Sequence, residues 1–420
     1  MLMQSGQQTG AAVSDGKCRN VVLVTDRYWP ALGGVEHWVH AVSLLLPADC
    51  NVRIVALAND CHNGDFLNRT VLPPKFDTYL DEAGHEVHPL LPSPPGRLAL
   101  YLLILWRLPF VRRCIPRQMF TFLYCFFKVG YFKPLNDLLR GADVVHCFST
   151  SFLAVCVSDA CRKLRIPLIH APSVHFGRWG DGPLLLRAYS QAAILISQTE
   201  FAREEFRRHL SRQLPQIRLS TPPLLPMCPE ESPPVPIDGP FILFLGRRES
   251  HKGLQLLLSA FGKLASKVTL VVAGPGTPLI VAMEKPVVDL GAVSDGTKQW
   301  LLSHCTVFCV PSLDESFGIV YIEAMRCAKP IVALDVSPVN ELVENGVSGV
   351  LVPPDSPGLL ASAIDRLLGS EELRARIASG ALRRYEDRFA ADKVIAELVG
   401  MYDEVVSGVH VGGRFLSSPN

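Results

Sequence analysis

The chain has 420 residues, 48% of them hydrophobic, and a formal net charge of +1 at neutral pH. That length accommodates two domains of about 200 residues, each able to bury its own core, while the near-zero charge excludes a general affinity for nucleic acid. The 12 cysteines are scattered without a paired C-x-x-C spacing, so neither a metal site nor a disulfide framework is predicted and a reducing cytoplasmic setting is expected.

Residues 1–17 are polar and lack the apolar run of a signal peptide, so a flexible tail is expected there. Asn20 to Asp26, NVVLVTD, predicts the first strand of a Rossmann-like unit. Behind it come Pro30, Gly33, Gly34 and Glu36, and then Val35, Trp38, Val39, Val42, Leu45 and Leu46 at helical spacing. A glycine pair between a strand and a helix serves either as a tight turn or as a place where backbone amides meet a phosphate or a sugar. Asn51 to Ala58 supplies the second strand.

Between Val87 and Asn136 there are seven basic residues, Arg97, Arg107, Arg112, Arg113, Arg117, Lys128 and Lys133, and no acidic one. Two apolar runs, Leu98 to Trp106 and Met119 to Phe127, are interleaved with them. Each is well short of the roughly 20 residues that cross a bilayer as a helix. Two arrangements fit this pattern. The runs are buried helices whose basic side chains reach outward, or residues 97–133 lie on an anionic membrane, where each basic side chain contributes on the order of 1 kcal/mol.

Asp143-Val-Val-His146 and Ile166 to His170 are further strands, with His146 expected to be structural. Ala171-Pro-Ser-Val-His175 leads out of the second of them, and Ala192 to Thr199 is the last strand predicted for the first domain, 18–213. Nine prolines fall between Leu214 and Pro240. Such density propagates neither helix nor central strand, which places a linker at 214–240.

The second domain, 241–390, opens on a strand, FILFLG, followed by Arg247-Arg248-Glu249-Ser250-His251-Lys252-Gly253 and a helix over Leu254 to Leu264. Two cations between a strand and a helix suit a solvated loop, or a diphosphate at the carboxyl edge of the sheet, where each charge-assisted hydrogen bond contributes roughly 1.5–3 kcal/mol. Strands follow at Val268 to Gly274 and at Val287 to Val293, too close together for the usual helix between them. Cys305 to Ser312 is another short apolar strand, with Cys305 and Cys309 as core residues.

That strand ends at Asp314-Glu315, and Ser316 is the predicted N-cap of a helix in which Phe317, Ile319, Val320, Ile322, Ala324 and Met325 are apolar on nearly every side. The amides of Ser316, Phe317, Gly318 and Ile319 then lack intrahelical partners and, with the helix dipole, suit an anion such as phosphate. Glu323 falls inside this apolar helix. A buried carboxylate requires a cationic partner or a polar cavity, and it accepts hydrogen bonds from the hydroxyls of a ribose. Helices are expected from Pro357 onward, the last at 391–407 crossing back to the first domain, followed by a tail at 408–420.

The stretch Glu315-Ser-Phe-Gly-Ile-Val-Tyr-Ile-Glu323 resembles the E-x7-E motif of the retaining glycosyltransferases of family four, and the resemblance extends from about Asn20 to Val406. Pro30, Gly33, Gly34 and Glu36 are similar to the family's P-x-x-GG-x-E donor loop. Gly246, Arg247, Lys252 and Gly253 are similar to its G-R-x4-K-G diphosphate clamp, and His175 to the histidine of its P-x-x-H segment. Two places depart from the pattern. Ala193 stands where the family usually has Asp, and Glu341 matches a frequent family glutamate without its usual glycine pair, so it is assigned no site.

The resemblance implies an α/β fold of two Rossmann-like domains facing a central cleft (GT-B). It implies retaining, metal-independent transfer of a sugar from a nucleoside-diphosphate sugar to a lipid-linked or polysaccharide acceptor, with no cofactor, peripheral on the cytoplasmic membrane face. In that reading Arg247, Lys252 and the amides of Ser316, Phe317, Gly318 and Ile319 hold the diphosphate. Glu323 takes the ribose, Glu315 and His175 the sugar, and Gly33 and Gly34 close the donor loop. Nucleotide-sugar epimerases and phosphorylases share the architecture, and an inactive, nucleotide-binding membrane adaptor is the other class the sequence allows.

Overall fold

The computed structural model describes residues 19–31, 33–58, 76–94, 96, 120–210, 214–280 and 283–408. Strand β1 (Arg19–Arg27) is buried along its middle from both sides: Val21 and Leu23 face one layer of the molecule, Val22 and Val24 the other. This double burial is why its sequence is a continuous apolar run and not an alternation. Helix α1 (Gly34–Leu45) covers the first face with Trp38, Val39 and Val42. Helices α2 (Phe120–Leu139) and α3 (Phe152–Leu164) cover the second with Phe127, Tyr131, Leu135, Leu153 and Val157. Each such fully buried side chain contributes roughly 1.5–3 kcal/mol of transfer free energy.

Around β1 the first sheet adds β2 (Cys50–Ala58), β3 (Tyr79–Leu80), β4 (Glu86–Pro89), β5 (Val144–Cys147), β6 (Leu168–His170), β7 (Ile194–Ser197) and β8 (Gln216–Leu219). The order is β3-β4-β2-β1-β5-β6-β7-β8, and only β3 runs antiparallel to its neighbour. Helices α4 (Pro183–Ser190) and α5 (Glu200–His209) join its later strands.

Two expectations change here. The linker was placed from residue 214, but Gln216–Leu219 pairs in parallel with β7 as an edge strand. An edge tolerates Pro215 at its entry, and the stretch without helix or strand begins only after it, at residues 220–240. The second apolar run of the basic segment is the other change. Leu123, Tyr124 and Phe127 point into the core, and Lys128 pairs with Asp159 at 2.6 Å, so these residues follow the buried-helix arrangement. Leu98 to Trp106 and Arg97, Arg107, Arg112, Arg113 and Arg117 lie outside the described residues, as do 1–17 and most of the 408–420 tail.

The second sheet contains β9 (Phe241–Leu245), β10 (Thr269–Ala273), β11 (Val287–Gly291), β12 (Val307–Cys309), β13 (Ile331–Leu334) and β14 (Gly349–Val352), all parallel in the order β11-β10-β9-β12-β13-β14. Its helices are α6 (Leu254–Lys263), α7 (Asp295–His304), α8 (Ile319–Arg326), α9 (Val339–Leu342), α10 (Pro357–Gly369) and α11 (Glu371–Arg388). Phe244, Phe261, Phe308, Tyr321, Ile364 and Ile377 share one core. Among the described residues no helix lies between β10 and β11. Instead, Asp289 on β11 ties down the connection, accepting from the amide of Leu279 at 2.8 Å and pairing with Arg248.

Helix α12 (Ala391–Val406) leaves the second sheet and packs on the first, burying Leu398, Met401, Tyr402 and Val405 beside Trp38 and Val52. Arg19–Asp403 and Arg218–Glu404 pairs fasten its outer side. In each sheet the chain runs outward from a central strand and then returns to that strand's other side. The reversals fall at β1/β5 and at β9/β12, and the crevices at the carboxyl ends of those strand pairs are where open α/β sheets bind ligands. No helix among the described residues is long and apolar enough to cross a membrane.

Candidate functional site

The loops that leave β9 and β12 are locked to each other. The amide of Leu313 donates to the carbonyl of His251 at 2.7 Å, and the Ser312 hydroxyl donates to the same carbonyl at 3.1 Å. Gly253 makes this contact possible. Its φ of 75° is left-handed, and a Cβ there would stand 1.9 Å from the carbonyl oxygen of Pro311, so any side chain would separate the loops. The consequence is a fixed ion pair: Lys252 Nζ lies 2.7 Å from Glu315 Oε2, with both side chains largely buried. The other carboxylate oxygen, Glu315 Oε1, is buried and has no hydrogen-bond partner among the described residues.

The helix after this loop begins later than expected. Gly318 is the N-cap of α8 (φ 102°, ψ 55°), so Ser316 is not the cap and both Ser316 and Phe317 belong to the loop. The Phe317 side chain is 2% exposed and packs against Phe389; only its backbone faces the loop's chemistry. Opposite α8 stands the glycine pair of the first lobe, with the Cβ position of Gly34 3.9 Å from Ile319 Cδ1. At Gly33 a side chain would press on Glu36. A Cβ there would lie 2.2 Å from Glu36 Oε2, and Glu36 is held by Arg27 at 2.5 Å.

Glu323 is buried, and its cation is Lys298 on α7, at 3.0 Å from Oε1. Lys298 also reaches Asp295 at 2.9 Å. Burial works against the ammonium charge, but the carboxylates of Glu323 and Asp295 outweigh it and hold the Lys298 pKa above its ordinary value. His37 of α1 faces this cluster from the first lobe. Burial, and then the Lys298 charge, push its pKa down.

His175 reaches the same cleft from the loop after β6. Its Nδ1 lies 3.4 Å from Asp314 Oδ1, and Arg178 takes the other oxygen of Asp314 at 2.5 Å. Burial lowers the His175 pKa and outweighs the opposing charge of Asp314. Arg247 is the predicted site residue that these contacts do not include: it pairs with Glu249 at 2.8 Å and its side chain is 55% exposed. Its neighbour Arg248 is the buried one, committed to Asp289 and the Thr277 carbonyl.

The structure therefore brings Lys252, Glu315, the start of α8, Gly34 and His175 to the facing ends of the two sheets. Sequence reasoning missed Lys298, Asp314 and Arg27. The requirement that Glu323 have a cation was the available signal for the first, and the match of Glu36 to the donor-loop pattern for the third. The carboxylate of Glu341 accepts from the amides of Glu200 and Phe201 at 2.6 and 2.8 Å, joining the second lobe to the start of α5. No group of three His, Cys, Asp or Glu side chains arranged to hold a metal ion occurs among the described residues.

Two α/β units with their strand ends facing across a cleft define the GT-B architecture. The family model "Glycosyl transferases group 1" matches residues 230–384, and "Glycosyltransferase Family 4" matches residues 75–219. The chain is 32% identical over 180 residues to an alpha-D-kanosaminyltransferase of Streptomyces kanamyceticus, covering 40% of this chain and 46% of that protein. It is 34% identical over 188 residues to a phosphatidyl-myo-inositol mannosyltransferase of Mycolicibacterium smegmatis, covering 42% and 48%. The chain thus spans about half the length of the curated relatives it matches. The crystal structure of Anabaena HepE in complex with UDP superposes with a TM-score of 0.67 at 17% identity, covering 92% of this chain and 100% of that one. The chain belongs to glycosyltransferase family four, with the GT-B fold.

Proposed function

We propose that the protein transfers a sugar from a nucleoside-diphosphate sugar to a lipid-linked or polysaccharide acceptor, with retention at the anomeric carbon and without a metal ion. The Lys252–Glu315 pair, with one buried carboxylate oxygen left for a hydroxyl, supports this best. A buried acceptor without a donor is costly, and a sugar hydroxyl donating to Glu315 Oε1 satisfies it. Lys252 and the amides at the start of α8 then face the diphosphate, and Arg247 joins by exchanging Glu249 for phosphate. Glu323, held by Lys298 at 3.0 Å, takes the ribose hydroxyls. The relative that acts on a phosphatidylinositol by name and the fold neighbour that holds UDP fit this ligand class.

In the reaction the bond from the anomeric carbon to the diphosphate breaks and a bond from the same carbon to the acceptor oxygen forms. The acceptor proton passes to the departing diphosphate. Lys252 and the helix amides neutralise the charge that grows on the leaving group, the kind of preorganised contact whose removal lowers turnover about 100-fold or more. Lys252→Ala is therefore expected to abolish transfer from labelled donors to membrane or glycan extracts, and chelator is expected to leave transfer unchanged. Retained turnover in Lys252→Ala, or epimerised sugar formed from donor alone, overturns the assignment. Binding to anionic vesicles, lost on charge reversal at Arg112 and Arg113, tests the peripheral membrane position proposed for the part of the basic segment before the buried helix, 97–117.

A further inference from the structure

Asp314 lies at the seam between the lobes. It belongs to the loop after β12, yet both partners of its carboxylate are on the first lobe: His175 Nδ1 at 3.4 Å from Oδ1 and Arg178 Nη1 at 2.5 Å from Oδ2. The imidazole is held on a second side by Trp179, whose ring centroid is 4.6 Å away. Backbone hydrogen bonds between His175 and Trp179, 3.1 Å from the His175 amide and 2.9 Å to its carbonyl, fix the two rings relative to each other. The Nδ1 edge and one face of the ring are thus occupied.

We propose that Asp314 is a positioning residue for His175, selecting the ring tautomer in which Nε2 accepts a hydrogen bond from a sugar hydroxyl in the cleft. An ionised carboxylate offers only acceptors, so it favours the proton on Nδ1, and in a neutral imidazole the other nitrogen is then an acceptor. The ring is neutral because burial, assisted by the Arg178 charge, outweighs the opposing charges of Asp314 and Glu315. Arg178 holds Asp314 in place through its second oxygen. The carboxylate and the ring come from different lobes, so the tautomer is set only where the lobes meet. This rests on the reading of His175 as a sugar contact.

The test uses the full chain with nitrogen-15-labelled histidine and the variants Asp314→Asn, Arg178→Met and Lys252→Ala. In the unaltered protein the ring shifts of His175, assigned against His175→Gln, are expected to show the proton on Nδ1. Asp314→Asn presents either an oxygen or an NH2 to the ring. It is expected to mix the tautomers and to lower kcat about 10-fold or more, with the KM for donor changed less than about twofold. Arg178→Met is expected to keep the tautomer. A proton found on Nε2 in the unaltered protein overturns the proposal, as does an Asp314→Asn protein with unchanged tautomer and kcat. Loss of turnover in Lys252→Ala with an inert Asp314→Asn sinks the positioning role alone, whereas full turnover in both sinks the sugar-transfer reading with it.

Discussion

A carboxylate inside an apolar helix has to be neutralised, and Lys298 does this for Glu323 while also binding Asp295. Removing one partner of such a pair leaves a buried charge uncompensated, which costs about 3–5 kcal/mol in a fully dry site. The Lys298 side chain is partly exposed, so a smaller cost applies. Lys298→Met is expected to lower the unfolding free energy in urea by about 2–3 kcal/mol, and adding Glu323→Gln is expected to recover most of it. Equal stability of Lys298→Met and the unaltered protein would show that the pair is not what keeps Glu323 inside. The need for a cation was legible from Glu323 alone, because it follows from helical periodicity and the cost of desolvation. Which cation was not, since Lys298 lies 25 residues away on another helix and only the packing of α7 against α8 brings the two together. Asp314 was hidden for the same reason: its partners are on the other lobe.

At the scale of elements, α5 shows how one lobe completes the other. The first amides of any helix have no partner within it. Thr199 caps the amide of Ala202 at 3.1 Å, while the amides of Glu200 and Phe201 are taken by Glu341 from the second lobe. Losing such a cap typically costs about 1 kcal/mol. Glu341→Ala is expected to raise hydrogen exchange at Glu200 and Phe201 about fivefold, without affecting the exchange of Leu257 or Phe261 on α6. Unchanged exchange at Glu200 and Phe201 would mean that solvent satisfies those amides equally well. Elements with a strong local signature were readable in advance: β1, β9 and β12 as apolar runs buried on both faces, α1 and α6 by their spacing. Strand β8 was not, because at a sheet edge the pairing with β7 overrides a proline-rich context. The start of α8 was misplaced because Ser316 has the chemistry of a cap, whereas the left-handed turn is made by Gly318.

Across the whole molecule, α12 ties the end of the chain to the first sheet, and one of its ties is to a titratable group. Tyr402 hydrogen-bonds Nδ1 of His146 at 2.8 Å, in a site where the imidazole is 0% exposed and stacks on Phe148. On the neighbouring strand His170 donates from Nε2 to the Ser149 carbonyl at 3.0 Å. The remaining nitrogens, His146 Nε2 and His170 Nδ1, have no partner among the described residues, so a second proton on either ring would be a buried donor without an acceptor. Burial accordingly pushes His146 down to about 3 and His170 down to about 4. In the unfolded chain both titrate near 6.5. As pH falls through that value the unfolded state takes up two protons that the native state refuses, so stability falls toward acid. It is flat above neutrality, where neither state is protonated. Between pH 7 and pH 5 each histidine removes roughly 2 kcal/mol, about 4 kcal/mol together, from a total that for most proteins is only about 5–15 kcal/mol. Asp81, held at about 2 with burial opposed by its hydrogen bonds to His85 and Tyr28, adds no slope in this window, because its contribution is lost only below the ordinary carboxylate range. Urea unfolding at the two pH values is expected to show at least this loss, and His146→Gln, which keeps a polar partner for Tyr402 but cannot titrate, is expected to lose about 2 kcal/mol less than the unaltered protein. A wild-type free energy that is the same at pH 7 and pH 5 would mean that the two imidazoles accept protons in place, and that the seat of α12 on the first sheet is looser than the Tyr402 contact implies.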